Sequence, residues 1–209
     1  MAAVRITEIF HSVQGESTLA GLPCVFVRLT GCNLRCVWCD TPYAFHGGSE
    51  MSLEEILAEV RRYRCRRVEI TGGEPLLQKE VLPLMARLCD LGWEVLLETG
   101  GSIDVSGVDE RVIRIVDVKC PGSGESGRNL WENLARLSSR DQVKFVIRDR
   151  GDFDWACHVV RERDLTAKHP VLFSPVHGEM DPHLLARWIL ESGLDARLQI
   201  QIHKILSVP

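Results

Sequence analysis

No run of about 18 apolar residues occurs anywhere in the chain, so no segment reads as a membrane-crossing helix. A basic excess is missing too. Lys and Arg total 25 against 29 Asp and Glu, and the formal net charge of -4 offers nucleic acid no electrostatic footprint. Residues 1–13 lack the basic head and apolar centre of a secretory leader. No linker or low-complexity segment breaks the 209 residues, so one domain spanning 1–209 is expected. The expectation is a cytoplasmic protein with neither a membrane nor a nucleic-acid partner. At 45% hydrophobic and 26% charged, its composition suits a packed core.

Cysteine, by contrast, is plentiful. Eight are present, three of them crowded into positions 32–39, while Cys24, Cys65, Cys89, Cys120 and Cys157 lie scattered. That spacing is not a disulfide framework. In a reducing compartment a tight group argues for a metal site, and the scattered five read as small buried hydrophobes.

Strand-like and helix-like runs alternate along the chain. Strands are expected at 1–13, 25–29, 68–71, 94–98, 112–119, 142–147, 171–173 and 198–202. Helices are expected at 52–63, 79–91, 130–137, 152–163 and 182–191. Ser52 and Glu55 form a capping box at the start of the first helix, and Gly92 stops the second. This alternation predicts an α/β fold with parallel strands and crossover helices. A full eight-fold barrel takes about 250 residues, so a partial, open (β/α)6-like barrel is expected, shorter than a TIM barrel. A flat doubly wound sheet is the competing architecture. The glycine- and serine-rich segment 121–128 reads as a loop.

The run Thr30-Gly31-Cys32-Asn33-Leu34-Arg35-Cys36-Val37-Trp38-Cys39-Asp40 contains Cys-x3-Cys-x2-Cys. Three thiolates on a short loop each take one iron of a cubane and leave the fourth iron open, whereas ordinary electron-transfer clusters use four cysteines. Trp38 is placed to cover such a cluster. The same cysteines with His46 would also make a zinc site. After the next strand stands Thr71-Gly72-Gly73-Glu74-Pro75, whose glycines allow close approach of backbone to a ligand. Both segments follow strands, and barrel active sites gather at the C-terminal strand ends.

The cysteine spacing, the aromatic before the third cysteine and the GGEP loop together resemble the radical S-adenosylmethionine (SAM) superfamily. Further segments narrow the likeness. Gln14-Gly15-Glu16 offers the donor and acceptor groups that would pair with a pterin edge, although a polar turn explains it equally well. Thr41, two residues past the third cysteine, adds an oxygen donor of the kind Mg2+ accepts alongside substrate oxygens and water. Arg28 lies on the strand face opposite Val27 and Leu29, where a guanidinium suits a carboxylate or an internal ion pair. Gln201-Ile202-His203-Lys204 sits near the other end, with Gln201 and His203 expected on one face of the last strand. In this order the segments resemble the 7-carboxy-7-deazaguanine synthase family over most of the chain.

The resemblance implies a 4Fe–4S cluster on Cys32, Cys36 and Cys39, with SAM on its open iron and Mg2+ touching Thr41. It implies SAM contacts from Trp38, Cys39, Asp40, Gly73, Glu74, Lys119, Cys120, Pro121, Ser174, Pro175, Val176 and His177. It implies a pterin substrate held by Val13, Gln14, Gly15, Glu16, Arg28, Thr71, His203 and the Pro209 carboxylate. The reaction implied is a radical ring contraction, with loss of ammonia, on the way to queuosine and other 7-deazapurines. An electron donor such as flavodoxin and a homodimer are implied as well. Two other readings stand beside it. One is a radical SAM activase that places a glycyl radical on a partner protein. The other is a zinc- or iron–sulfur-stabilised binding module with no catalysis.

Overall fold

The computed structural model describes residues 3–209. Residues 1 and 2 of the expected first strand lie outside the described residues.

The first strand, β1 (Ala3–Val13), runs antiparallel to β2 (Pro23–Leu29) and, on its other side, to the short β3 (Ser49–Ser52). From β2 onward the sheet is parallel, through β4 (Arg67–Gly72), β5 (Glu94–Thr99), β6 (Ile113–Asp117), β7 (Gln142–Ile147), β8 (Val171–Pro175) and β9 (Ala196–Leu198). The order across the nine strands is β3-β1-β2-β4-β5-β6-β7-β8-β9. Each parallel strand therefore lies beside its predecessor in the parallel series. A doubly wound sheet needs a reversal of strand order, and none occurs here. The expected open partial barrel is what forms.

Four helices connect the parallel strands: α1 (Leu53–Arg61), α2 (Val81–Asp90), α3 (Arg150–Glu162) and α4 (Pro182–Ser192). The capping box is formed. Ser52 Oγ accepts from the Glu55 amide at 3.3 Å, and the Glu55 carboxylate accepts from the Ser52 amide at 2.7 Å. Alternate strand residues point to this helical layer. Val25, Val27, Leu29, Val68, Ile70, Val95 and Leu97 pack with Ile56, Leu57, Leu84 and Leu88 into one apolar core. Val143, Phe145, Ile147, Val171 and Phe173 pack with Phe153, Val160 and Leu185 into a second.

Three expectations are corrected. The segment 130–137 is a 3-10 helix (Trp131–Arg136), not an α-helix, because tertiary hydrogen bonds hold it to residues 101–105: the Leu130 amide donates to Gly101, and the Asn133 side chain bonds Gly101 and Val105. The strand β3 lies in what reads as loop; Ser-Glu-Met-Ser has no strand pattern and is ordered by pairing with residues 3–6 of β1. The last strand is not 198–202. It ends at Leu198, and a short helix, α5 (Ile202–Leu206), follows. The Ile202 amide donates to the Gly15 carbonyl at 3.0 Å, a tertiary bond that turns the chain away from the sheet. Gln201 and His203 therefore sit at the start of a helix, not on one strand face.

The concave face of the sheet is left without a layer of helices. It is closed instead by the β1–β2 turn, which crosses to β7. The Gln142 side chain accepts from the Thr18 amide at 2.8 Å and donates to the Thr18 hydroxyl at 2.9 Å.

Candidate active site

A cavity of about 560 Å³ opens on this concave face, at the C-terminal ends of the parallel strands. It has a cysteine end and a carboxylate end.

At the first, Cys32, Cys36 and Cys39 line the wall together with Trp38, Asp40 and Thr41. All three thiols are free, and no fourth cysteine among the described residues lines the cavity. Burial pushes the Cys32 and Cys36 thiols above their ordinary range. The loop is tied down by backbone: the Gly31 amide donates to Ala44 at 2.8 Å and the Val37 amide to Ser123 at 3.1 Å. The glycine loop after β4 lies directly on it. A Cβ on Gly73 would stand 2.1 Å from the Gly31 carbonyl oxygen, so only glycine fits that contact. The Glu74 amide donates to the same oxygen at 2.8 Å.

The Glu74 side chain does not line the cavity. It is buried behind the loop, where it accepts from Thr99 Oγ1 at 2.9 Å, the Gly100 amide at 2.8 Å and the Leu76 amide at 3.1 Å. Cys120 and Pro121 also lie off the cavity, with the Cys120 thiol buried and pushed well above its ordinary range by that burial. Lys119, Ser174, Pro175, Val176 and His177 do line it. Two polar atoms of the wall, Asp117 Oδ1 and Ser174 Oγ, are buried without any hydrogen-bond partner. Buried groups of this kind call for a ligand or ordered water.

At the other end stand Val13, Gln14, Gly15, Glu16, Arg28, Thr71, His203 and Pro209, which the chain brings together from both ends of the sequence. Gln14 donates to Glu69 Oε2 at 2.6 Å and accepts from the Glu16 amide at 2.6 Å. Glu16 Oε1 accepts from Gln201 at 2.8 Å. Burial works to raise the Glu16 carboxyl, but Lys144 and Gln201 outweigh it and hold it below its ordinary range. Arg28 lies between the rings of Phe10 and Tyr43, and its Nε donates to Glu8 at 2.7 Å. Burial keeps His203 below its ordinary value. A Cβ on Gly15 would fall 1.8 Å from His203 Nδ1, so glycine is what lets α5 close on the turn. The Ser12 hydroxyl donates to the Pro209 carbonyl oxygen at 2.6 Å, which holds the terminal residue at the rim.

Asp40 joins the two ends. Its carboxylate accepts from Lys204 Nζ at 2.6 Å and from Gln201 at 3.3 Å. Burial opposes the charge, yet Lys204 prevails and lowers the Asp40 carboxyl to about 2. Thr41 Oγ1 donates to Asp40 Oδ1 across 3.5 Å and stands 4.0 Å from Cys39 Sγ.

Sequence reasoning missed Glu69, Glu98, Asp117 and Lys144. Each faces the cavity from a different strand, and each is a charged residue set among apolar ones. That interruption of an apolar strand was the available signal. Glu69 is buried, and this burial with the nearby Glu98 charge pushes its carboxyl up to about 8.

Comparison with known proteins agrees with this arrangement. The radical SAM superfamily model matches residues 26–121, from within β2 through the cysteine and GGEP loops. The 7-carboxy-7-deazaguanine synthase of Koribacter versatilis is 48% identical, covering 99% of this chain and 98% of the relative. The chain belongs to the 7-carboxy-7-deazaguanine synthase family. The Chlorobaculum tepidum synthase is 42% identical over 100% of this chain and 96% of its own length. The crystal structure of QueE from Escherichia coli superposes with a TM-score of 0.78 at 25% identity, covering 96% of this chain and 95% of that one. Synthases of this family are radical SAM enzymes that use a 4Fe–4S cluster, SAM and Mg2+. The residues present fit these groups: three cavity-facing thiols for the cluster, orphaned Asp117 and Ser174 oxygens in the same cavity wall, and a threonine hydroxyl at the boundary between the two ends.

Proposed function

We propose that this chain converts 6-carboxy-5,6,7,8-tetrahydropterin to 7-carboxy-7-deazaguanine with loss of ammonia, as one radical SAM domain over 1–209. The observation that carries the reading is the division of one cavity into three thiols without a fourth at one end and a carboxylate- and amide-lined bowl at the other. Cys32, Cys36 and Cys39 hold the cluster. Gly73 binds SAM through its backbone, and Trp38, Asp40, Lys119 and residues 174–177 line the SAM pocket. Glu74 contributes by holding the loop from behind. Thr41 contributes an oxygen to Mg2+.

When bound on Cys32, Cys36, Cys39 and the Gly73 loop, the cluster and SAM would supply the radical chemistry that the ring contraction needs. The chain's own residues do the rest by placement. Arg28, itself held between the Phe10 and Tyr43 rings, and the Pro209 rim orient the substrate carboxylate. Gln14, Glu16 and Thr71 take up its donor and acceptor edge, and His203, kept neutral by burial, faces it from α5. The turn and α5, joined by the Ile202–Gly15 bond, cover the bowl and keep bulk water from it.

A flavodoxin-type electron donor, a homodimeric assembly and a cytoplasmic setting complete the proposal. No helix among the described residues is long and apolar enough to cross a membrane.

The test is anaerobic reconstitution with iron and sulfide, then incubation with SAM, reductant, Mg2+ and 6-carboxytetrahydropterin, followed by mass spectrometry. The expected product is 7-carboxy-7-deazaguanine. Cleavage of SAM to 5′-deoxyadenosine with the pterin untouched would overturn the substrate and keep the superfamily chemistry.

A further inference from the structure

Lys144 is a charged group of the cavity that the proposed chemistry leaves without a task. It sits in the middle of β7 between Val143 and Phe145, and its side chain is 5% exposed. Burying an ammonium costs several kcal/mol unless it is fully paired. It is paired: Nζ donates to Glu16 Oε2 at 2.8 Å and to Glu98 Oε1, and Asp117 Oδ2 stands 3.9 Å away. An ammonium has three N–H groups, and three carboxylates surround this one. Two of its donors are bonded to carboxylates, and the third carboxylate, at 3.9 Å, attracts it without a hydrogen bond.

The arrangement instead acts on the carboxylates. Glu16, Glu98 and Asp117 come from the β1–β2 turn and two different strands, and all line the cavity. Without a cation between them they would repel, turning away or taking up protons. Lys144 occupies one oxygen of Glu16, and Gln201 occupies the other at 2.8 Å. The Glu16 carboxylate is thereby locked in plane, with each oxygen keeping a second lone pair. Glu98, which also lines the cavity, is anchored through Oε1 in the same way, while Oε2 takes no hydrogen bond among the described residues. Asp117 is further pinned by Lys119 at 2.8 Å on the cysteine side, so it serves that end rather than the bowl. The cation thus sorts the acidic groups between the two ends of the cavity.

We propose that Lys144 is a positioning residue for the substrate: it holds Glu16 and Glu98 as preoriented acceptors for the N–H edge of a flat, nitrogen-rich bicycle. The inference rests on the pterin reading above. The task assigned to Lys144 is carried by the two glutamates it holds, so its removal acts through them.

The test uses the full reconstituted chain with Lys144→Met, Lys144→Gln and Lys144→Arg. Expected in the Met variant is a rise in KM for the pterin of about 10- to 100-fold, the loss of charge-assisted bonds to two carboxylates. Iron content and the Kd for SAM should stay within about twofold of wild type, and Lys144→Arg should recover part of the defect. Lys144→Gln keeps an N–H donor in place and carries the same comparison if the Met variant does not fold. Unchanged pterin KM in a folded variant would overturn the role of Lys144 and leave the substrate intact. Parallel loss of iron, SAM affinity and pterin affinity would also overturn it, by showing a structural ion cage. A wild-type enzyme that cleaves SAM but ignores the pterin would sink the substrate reading, and this inference with it.

Discussion

On the helix-covered side of the sheet, Val25, Val27, Val68, Ile70, Val143 and Phe145 meet one another and the helices in apolar cores without solvent. On the concave side the residues between them are Phe26, Arg28, Glu69, Thr71, Lys144 and Val146. The same strands carry both sets, because successive side chains point to opposite faces. The convex face gains stability from every residue it buries, roughly 1.5–3 kcal/mol for each large side chain. The concave face buries carboxylates and ammonium groups that yield little net stability and cost much when one partner is lost. Fold and function are thus divided by the parity of a residue within its strand.

Three substitutions test that division. The largest effect is expected from Cys36→Ala at the concave mouth. A cubane left with two thiolates is labile, so iron and sulfide content and all product formation should be lost, while the unfolding midpoint of the apoprotein stays near wild type. Retained turnover with a normal cluster would remove Cys36 from the site. Next comes Phe145→Ala on the convex face. Phe145 is fully buried between Phe173 and Trp155, and its truncation should lower unfolding stability by about 3–5 kcal/mol in denaturant titration. The pterin KM of the folded fraction should not move; if it does, the two faces are not independent.

The smallest effect concerns the cost of the concave face. In the folded chain Glu69 keeps its proton up to about pH 8, whereas in the unfolded chain it loses it near 4.5. The folded state therefore holds more protons across that window, and stability falls as pH rises through it. Glu69→Gln removes the penalty and leaves an amide oxygen for Gln14 to bond. The advantage of the variant over wild type should grow from pH 5 to pH 9, and the two should share one pH dependence below 4.5. Urea unfolding at pH 5, 7 and 9 reads the difference, and a constant offset across the three would show that Glu69 is ionised throughout.

The parts of the site that are contiguous in sequence were legible there. Cys32 to Thr41 and Thr71 to Pro75 are single loops, and their chemistry follows from spacing. Gln14, Glu16, Arg28 and His203 were reachable through a resemblance and do line one cavity. Lys144, Glu69, Glu98 and Asp117 were not singled out, because each is one residue on its own strand and only the barrel brings them together. The alternation of β7, Gln-Val-Lys-Phe-Val-Ile, marks Gln142 and Lys144 as one face but does not say that the face is a binding site. The turn into α5 was hidden for a different reason. Leu198 to Ile202 alternates like a strand, and the Ile202 bond to Gly15 that overrides it comes from a residue far away in the sequence.

That bond has a counterpart in kinetics. Every strand from β5 on pairs with the one just before it in the chain, so most of the sheet can zip up through near neighbours. The contacts that shut the bowl are of another kind: Gln201 to Glu16, Lys204 to Asp40 and Ser12 to Pro209 span 185, 164 and 197 residues of chain. Their loop-closure entropy is the largest in the molecule, and little apolar surface rewards them. The sheet is then a frame that assembles early, and the latch across its mouth is the last thing to fasten and the first to open. Opening that latch frees the mouth without melting a single strand of the frame.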